Sequence, residues 1–131
     1  MTHQKFYEGR RTADGTTEVM VVDGALRVPL PPRLDLENKS PTGFNWGYGG
    51  SGPAQLALAI IADATGSDQK ARAHMQEFKR RFVAHLDPAA PWSISREAVK
   101  LMIGAIERDR GNPRRPMRVD ARRRPVSRPG S

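Results

Sequence analysis

The run Leu56-Ala57-Leu58-Ala59-Ile60-Ile61-Ala62 constrains the fold of this chain more than any other segment. Pro53 follows Gly52 at a natural first helical position and Gly66 closes the stretch, so the residues between them read as a helix. That helix is apolar around most of its circumference. A helix without a polar face belongs in the centre of a core. The run is also far shorter than the ~18 residues of a membrane-spanning helix. One such core is all that 131 residues support, because domains usually take ~100–150 residues. The chain has no cysteine, which excludes disulfides, thiolate metal sites and thiol nucleophiles and leaves apolar burial to hold the fold.

The elements that cover this helix lie on both sides of it. In the first third, Phe6 and Tyr7 lead through Glu8-Gly9-Arg10-Arg11 to an Asp14-Gly15 turn, and Glu18-Val19-Met20-Val21-Val22 is β-branched enough for a strand. Asp23-Gly24 predicts a type I′ hairpin turn, with Leu26, Val28 and Leu30 alternating onto one face of the returning strand. Pro29, Pro31 and Pro32 remove ladder donors and make that strand an edge, and Leu34 to Thr42 reads as a loop. After Gly66, Ser67 can cap a second helix whose Ala71, Met75, Phe78, Phe82 and Leu86 form one stripe. Ser95 can cap a third, with Ile94 and Val99 placed as a hydrophobic staple and Val99, Met102, Ile103 and Ile106 at helical spacing up to Gly111-Asn112-Pro113. The expected fold is α+β: a short antiparallel hairpin or three-stranded sheet packed against three α-helices in a domain spanning residues 1–108.

Residues 109–131 form a separate compositional unit. They hold eight arginines against Asp109 and Asp120, a net of +6, whereas residues 1–108 carry fourteen Lys/Arg against twelve Asp/Glu, a net of +2. Pro113, Pro116, Pro125 and Pro129 are interspersed, and Met117, Val119 and Val126 are too few large apolar groups to offset the entropy of ordering the segment. It is expected to be a disordered basic tail. Arg114-Arg115 and Arg122-Arg123-Arg124 can attract phosphate by charge alone, without base specificity. A solvated extension with no dedicated partner has the same composition.

The segment Phe44-Asn45-Trp46-Gly47-Tyr48-Gly49-Gly50-Ser51-Gly52-Pro53-Ala54-Gln55 leads into the apolar helix. Gly47, Gly49 and Gly52 match G-x-G-x-x-G, but the helix that follows leads to another helix, not to the second parallel strand of a dinucleotide fold. Pro53 stands where a P-loop would have its lysine. Two readings fit the segment. In one, a glycine-rich turn feeding a helix N-terminus offers unpaired N–H groups and the positive dipole end to an anion or partner, with Trp46, Tyr48, Gly49, Gly50, Ser51, Gly52 and Gln55 as contacts. In the other, Ser51 or Gly52 caps the helix and the glycines let Trp46 and Tyr48 fold over the core.

Catalytic and metal-binding patterns are sparse. His74 and His85 fall eleven residues apart on the second helix, or ~16 Å at the α-helical rise. They cannot share a metal, and no nucleophile elbow or H-E-x-x-H motif occurs. No cofactor, catalytic residue or metal ligand is expected. On the second helix Lys70, Arg72, Lys79, Arg80 and Arg81 point in several directions, with only Arg72 and Lys79 aligned, so a helix-turn-helix is not indicated.

Tyr7-Glu8-Gly9-Arg10-Arg11, the string Phe44-Asn45-Trp46-Gly47-Tyr48-Gly49-Gly50-Ser51-Gly52-Pro53-Ala54-Gln55-Leu56-Ala57-Leu58-Ala59-Ile60, and Gln76-Glu77-Phe78-Lys79 resemble a family of small uncharacterised bacterial domains carried by plasmids, phages and integrated elements. The resemblance spans roughly residues 6–103. It implies no activity or cofactor, and it leaves the basic tail outside the match. Together these features lead to an expected cytoplasmic, non-enzymatic accessory protein of a mobile element that contacts nucleic acid or a nucleoprotein complex through Arg114, Arg115, Arg122, Arg123 and Arg124. The alternative is a protein-partner or small-anion-binding module built on residues 46–55.

Overall fold

The computed structural model describes residues 4–111. In chain order it contains strands β1 (Lys5–Arg11), β2 (Thr17–Asp23) and β3 (Leu26–Pro29), helices α1 (Ser51–Thr65) and α2 (Asp68–Arg81), a 3-10 turn at Val83–His85, strand β4 (Trp92–Ser95) and helix α3 (Arg96–Arg110). The strands form one antiparallel sheet in the order β3-β2-β1-β4. The α+β class holds, but the sheet has four strands instead of two or three. Trp92–Ser95 supplies the extra one, pairing with β1 and running directly into α3. Its Trp-Ser-Ile-Ser alternation is a strand signal too short to stand out between Pro91 and the Ser95 helix cap.

The sheet buries one face and leaves the other to solvent, the usual arrangement of antiparallel sheets. Tyr7, Val19, Val21, Trp92 and Ile94 point into the core. On the opposite face charges pair across strands, Arg10 Nε with Glu18 at 2.7 Å and Arg27 Nη1 with Glu8 at 2.6 Å. Such exposed pairs contribute ~0–1 kcal/mol each. Gly9 lies opposite both Val19 and Trp92, and the Trp92 indole occupies the space above it. A Cβ at Gly9 would sit 2.3 Å from that ring.

The edge strand departs from the expected pattern. Leu26 and Val28 share a face as predicted, yet they are 61% and 40% exposed, and only Leu30 is buried. Alternation shows which residues share a face. It does not show that anything covers that face.

Helix α1 is buried along its length, from Gly52 through Ala62 and again at Ala64. Burying Leu56, Leu58, Ile60 and Ile61 contributes ~1.5–3 kcal/mol for each side chain. The helix begins at Ser51, with Gly50 as its N-cap, two residues before the expected start. Pro53 is tolerated inside the first turn because N–H groups there have no intrahelical acceptor. Gly66 ends α1 in the left-handed region at φ 69°. A polar tie joins α1 to the sheet: the buried Tyr7 hydroxyl donates to Asp63 Oδ2 at 2.6 Å, and Lys5 Nζ lies 2.8 Å from the same oxygen. Burial first, and Asp63 second, raise the Tyr7 phenol well above its ordinary pKa.

Both predicted helix caps form. Ser67 Oγ accepts from the Lys70 N–H at 3.1 Å and Ser95 Oγ from the Ala98 N–H at 3.0 Å. Helix α2 stops at Arg81, however, before the stripe is complete. Phe82 leaves helical geometry, and Val83–His85 make a 3-10 turn from which Phe82 and Leu86 still pack on the core. His85 is therefore not on α2, contrary to the reading that spaced it along one helix with His74. No helix among the described residues is long and apolar enough to cross a membrane. Helix α3 runs to Arg110, so Asp109 and Arg110 belong to that helix and not to the tail as expected, while the tail's candidate contacts, Arg114, Arg115, Arg122, Arg123 and Arg124, lie outside the described residues.

Replacing Gly9 by Ala should destabilise the fold by about 1–3 kcal/mol in urea denaturation, because the new methyl meets a packed indole. Gly49→Ala, with nothing within 4 Å of the new Cβ, should change stability far less. A second test uses the β1–β2 turn, where Asp14 accepts hydrogen bonds from the Thr12 hydroxyl, the Thr16 N–H and the Thr16 hydroxyl. These bonds push its carboxyl from 3.8 down to about 2. The folded pKa is depressed, so its contribution is complete above pH 3.8 and is lost as pH falls through about 2. NMR titration of Asp14 should show that low midpoint, and Thr12→Val should move it upward.

Candidate functional site

The glycine-rich segment divides into residues that build the core and residues that reach the surface. Trp46 is fully buried and meets Trp92 edge-to-face, with ring centroids 5.5 Å apart. Arg11 lies over the Trp46 ring, its Cζ 5.1 Å from the centroid, a cation–π contact. The guanidinium is held by two further bonds, Nε to Pro88 O and Nη2 to Asn45 Oδ1, both 2.7 Å. The same Asn45 oxygen accepts the Trp46 N–H at 2.9 Å. Gly47 then turns at φ +88° and donates its N–H to Val83 O. A Cβ there would lie 2.9 Å from Leu86 O, so both its conformation and its surroundings require glycine.

Gln55 is the polar exception on α1. It is fully buried, and all of its amide bonds go to the loop that follows β3. Oε1 accepts from Lys39 N at 2.7 Å and Ser40 N at 3.1 Å, while Nε2 donates to Pro32 O at 2.6 Å and Glu37 O at 3.0 Å. One side chain thus satisfies four main-chain groups that would otherwise be unpaired beside an apolar helix.

Tyr48, Gly49 and Ser51 are exposed, with Tyr48 at 49% and its ring over Gly50. Gly52 is buried against Asn45. No side chain caps α1, neither Ser51 nor any other; Pro53 has no N–H, and the Ala54 N–H donates to Gly50 O at 3.0 Å. The start of the helix borders a cleft of about 610 Å³ between the sheet and the glycine-rich segment. Arg11, Thr17, Thr42, Asn45, Tyr48 and Ser51 contribute its polar wall, and Val19, Leu30 and Phe44 its apolar floor. The Thr17 hydroxyl donates to Phe44 O at 2.7 Å, which fastens the loop to β2.

The candidate residues therefore fall into two groups. Tyr48, Ser51 and Gly52 line the cleft, whereas Gly49 and Gly50 do not, and Trp46 and Gln55 are buried in the core, the Gln55 amide with no atom left for a ligand. Arg11 and Asn45 complete the cleft and were not picked out as contacts from sequence. They are 34 residues apart, and no local pattern joins them. His74, by contrast, is buried between α2 and α3, its ring bonded to Glu107 Oε2 at 3.2 Å and Arg110 Nη1 at 3.1 Å.

These features define a small α+β domain with a polar cleft at the start of its central helix. Residues 7–105 match the model of a family of unknown function, DUF6166, and the chain belongs to that family. Comparison with curated proteins and with solved structures gave no match.

Removing the Gln55 amide should be costly. Gln55→Ala leaves four main-chain groups without partners, the buried Ser40 N–H and three part-buried ones, and should destabilise the domain by about 2–3 kcal/mol. Ser51→Ala, which removes no hydrogen bond, should stay within about 0.5 kcal/mol of the parent. Chemical denaturation of the two variants checks both expectations.

Proposed function

We propose that this chain is a cytoplasmic, non-enzymatic accessory protein of a bacterial mobile element that contacts nucleic acid, or a nucleoprotein complex, through its basic C-terminal arm. The observation that carries the reading is the separation of charge. Of the formal +8, a net of +6 falls in residues 109–131. The domain in front of them is nearly neutral, and most of its acidic side chains are engaged by their own basic partners. A polyanion would release counterions on meeting such an arm, giving sequence-independent, salt-sensitive binding. The mobile-element setting rests on the resemblance of the Trp46–Gln55 string.

The cleft favours a second reading, in which the domain receives a small anion or an acidic group of a protein partner. Arg11 brings positive charge to one wall, and the Ser51 hydroxyl with the positive end of the α1 dipole lies at the other. Tyr48 lies at the mouth.

Fluorescence anisotropy with a labelled duplex across a salt series tests the first reading. Changing Arg114, Arg115, Arg122, Arg123 and Arg124 to Gln in the full chain should lower the slope of log K against log salt by up to ~4.5, at ~0.9 for each phosphate contact. An unchanged slope would remove the arm from nucleic-acid binding. For the second, titration with inorganic phosphate should shift amide resonances of residues 49–52, and Ser51→Ala with Tyr48→Phe should weaken that response.

A further inference from the structure

We infer that the cleft takes an extended, acidic peptide segment of a protein partner, which adds its main chain to the free edge of β2 at Thr17 and sets a carboxylate against Arg11. This rests on the partner reading of the cleft above and names that partner's chemistry.

The main-chain groups of β2 point alternately to β1 and to β3. Leu30 N–H donates to Val19 O at 3.0 Å, so the odd-numbered residues of β2 face the β3 side. Strand β3 ends at Pro29, and Pro31 and Pro32 carry the chain onward without a donor. Thr17 therefore lies past the end of its neighbour. Among the described residues, neither the N–H nor the C=O of Thr17 has a hydrogen-bond partner, and neither does the N–H of the buried Val19. Groups in such positions are normally paired, and an unpaired strand edge is a template for a further strand.

The cleft runs along this edge. Thr17 and Val19, on the core face of β2, and Glu18 and Met20, on its solvent face, all line it. A hollow that meets both faces of one strand sits at the strand's edge. The loop from Thr42 to Asn45 forms the opposite wall, and an extended segment laid between the two pairs with β2 at the ordinary strand spacing of ~4.8 Å.

The charge at the cleft selects the segment. Arg10 and Arg27 are neutralised by Glu18 and Glu8, whereas Arg11 has no carboxylate partner among the described residues. Its bonds go to the neutral oxygens of Pro88 and Asn45, and the Trp46 ring supports its plane. These bonds use two of its five N–H groups. The guanidinium is thus fixed in place with its charge and the rest of its donors unspent, which pre-organises it for a carboxylate. Arg11 also lies directly opposite Thr17 in the sheet. A glutamate opposite Thr17 on the added strand shares that face, two strand spacings or about 10 Å from the Arg11 backbone, a distance the two side chains span.

The probe is an acetylated, amidated pentapeptide with valine at both ends, threonine at the second and fourth positions and glutamate in the middle. Its valines share the glutamate's face and meet Val19 and Leu30. In an NMR titration of the full chain, the Thr17 and Val19 amide protons should move downfield and exchange more slowly. Replacing the peptide's glutamate by glutamine should weaken binding about tenfold, the loss of one charge-assisted contact. Arg11→Gln should erase that difference between the peptides, while Arg27→Gln, away from the cleft, should preserve it. The comparison of the two peptides on the parental chain holds even if Arg11→Gln lowers stability. Equal affinity for both peptides, unmoved Thr17 and Val19 amides, or an equal loss of preference in Arg27→Gln would overturn the inference. So would absence of pentapeptide binding. If inorganic phosphate still shifts residues 49–52, the small-anion reading then stands without the peptide, and if it does not, both fall.

Discussion

A helix with no polar face must be covered on every side, and the architecture of this domain follows from that requirement at α1. The sheet supplies Tyr7, Val19, Val21 and Ile94, α2 supplies Ala71, Met75 and Phe78, and α3 supplies Val99, Ile103 and Ile106 to the same core. The remaining side is closed by irregular chain from Leu30 to Gly50. Irregular chain is a poor cover for an apolar helix because its main-chain groups lack ladder partners. Gln55 resolves the conflict by offering two acceptor and two donor contacts to that loop from within the helix. The polar residue on α1 is thus the device that makes apolar enclosure possible.

The aromatic and glycine residues before α1 serve the same enclosure and, in doing so, create the cleft. Trp46 inserts between Arg11 and Trp92, and Gly47 makes the turn that brings Tyr48 and Ser51 back to the surface. The uncapped start of α1 is left at the cleft wall as a consequence. The basic character of the chain belongs elsewhere, mostly to residues 109–131. Shape and charge are therefore carried by different parts of the molecule, which is why the overall +8 is a poor guide to the domain itself.

Much of this was legible in the residues. The Ser67 and Ser95 caps, the Gly66 stop and the central place of α1 all rest on local chemistry and occur in the structure. The β2–β3 hairpin forms as well, but Asp23 pairs with Leu26, so its loop is Gly24-Ala25 with only Gly24 at positive φ, not the expected type I′ turn centred on Asp23-Gly24. What could not be read depends on contacts distant in sequence. Strand β4 exists because it pairs with β1, more than eighty residues away; its Trp-Ser-Ile-Ser alternation is real but only four residues long and runs into the Ser95 helix cap. The stripe through Phe82 and Leu86 has helical spacing, but the chain changes to a 3-10 turn and still delivers both side chains to the core. At the cleft, Ser51 and Tyr48 were recognisable from the glycine turn, whereas the Arg11–Asn45 bond and the saturated Gln55 amide were not. A glutamine in sequence does not reveal whether its partners are a ligand or its own main chain.

The central claim is that Gln55 binds the loop to α1 so that the two open as one unit. Native-state hydrogen exchange of the Lys39 and Ser40 amides measures it most directly, since both donate to Gln55 Oε1. If the clamp holds, these two amides exchange as slowly as those in the middle of α1, through global unfolding, and become fast in Gln55→Ala. Exchange at the rate of open loop amides in the parent protein, with α1 still protected, would contradict it.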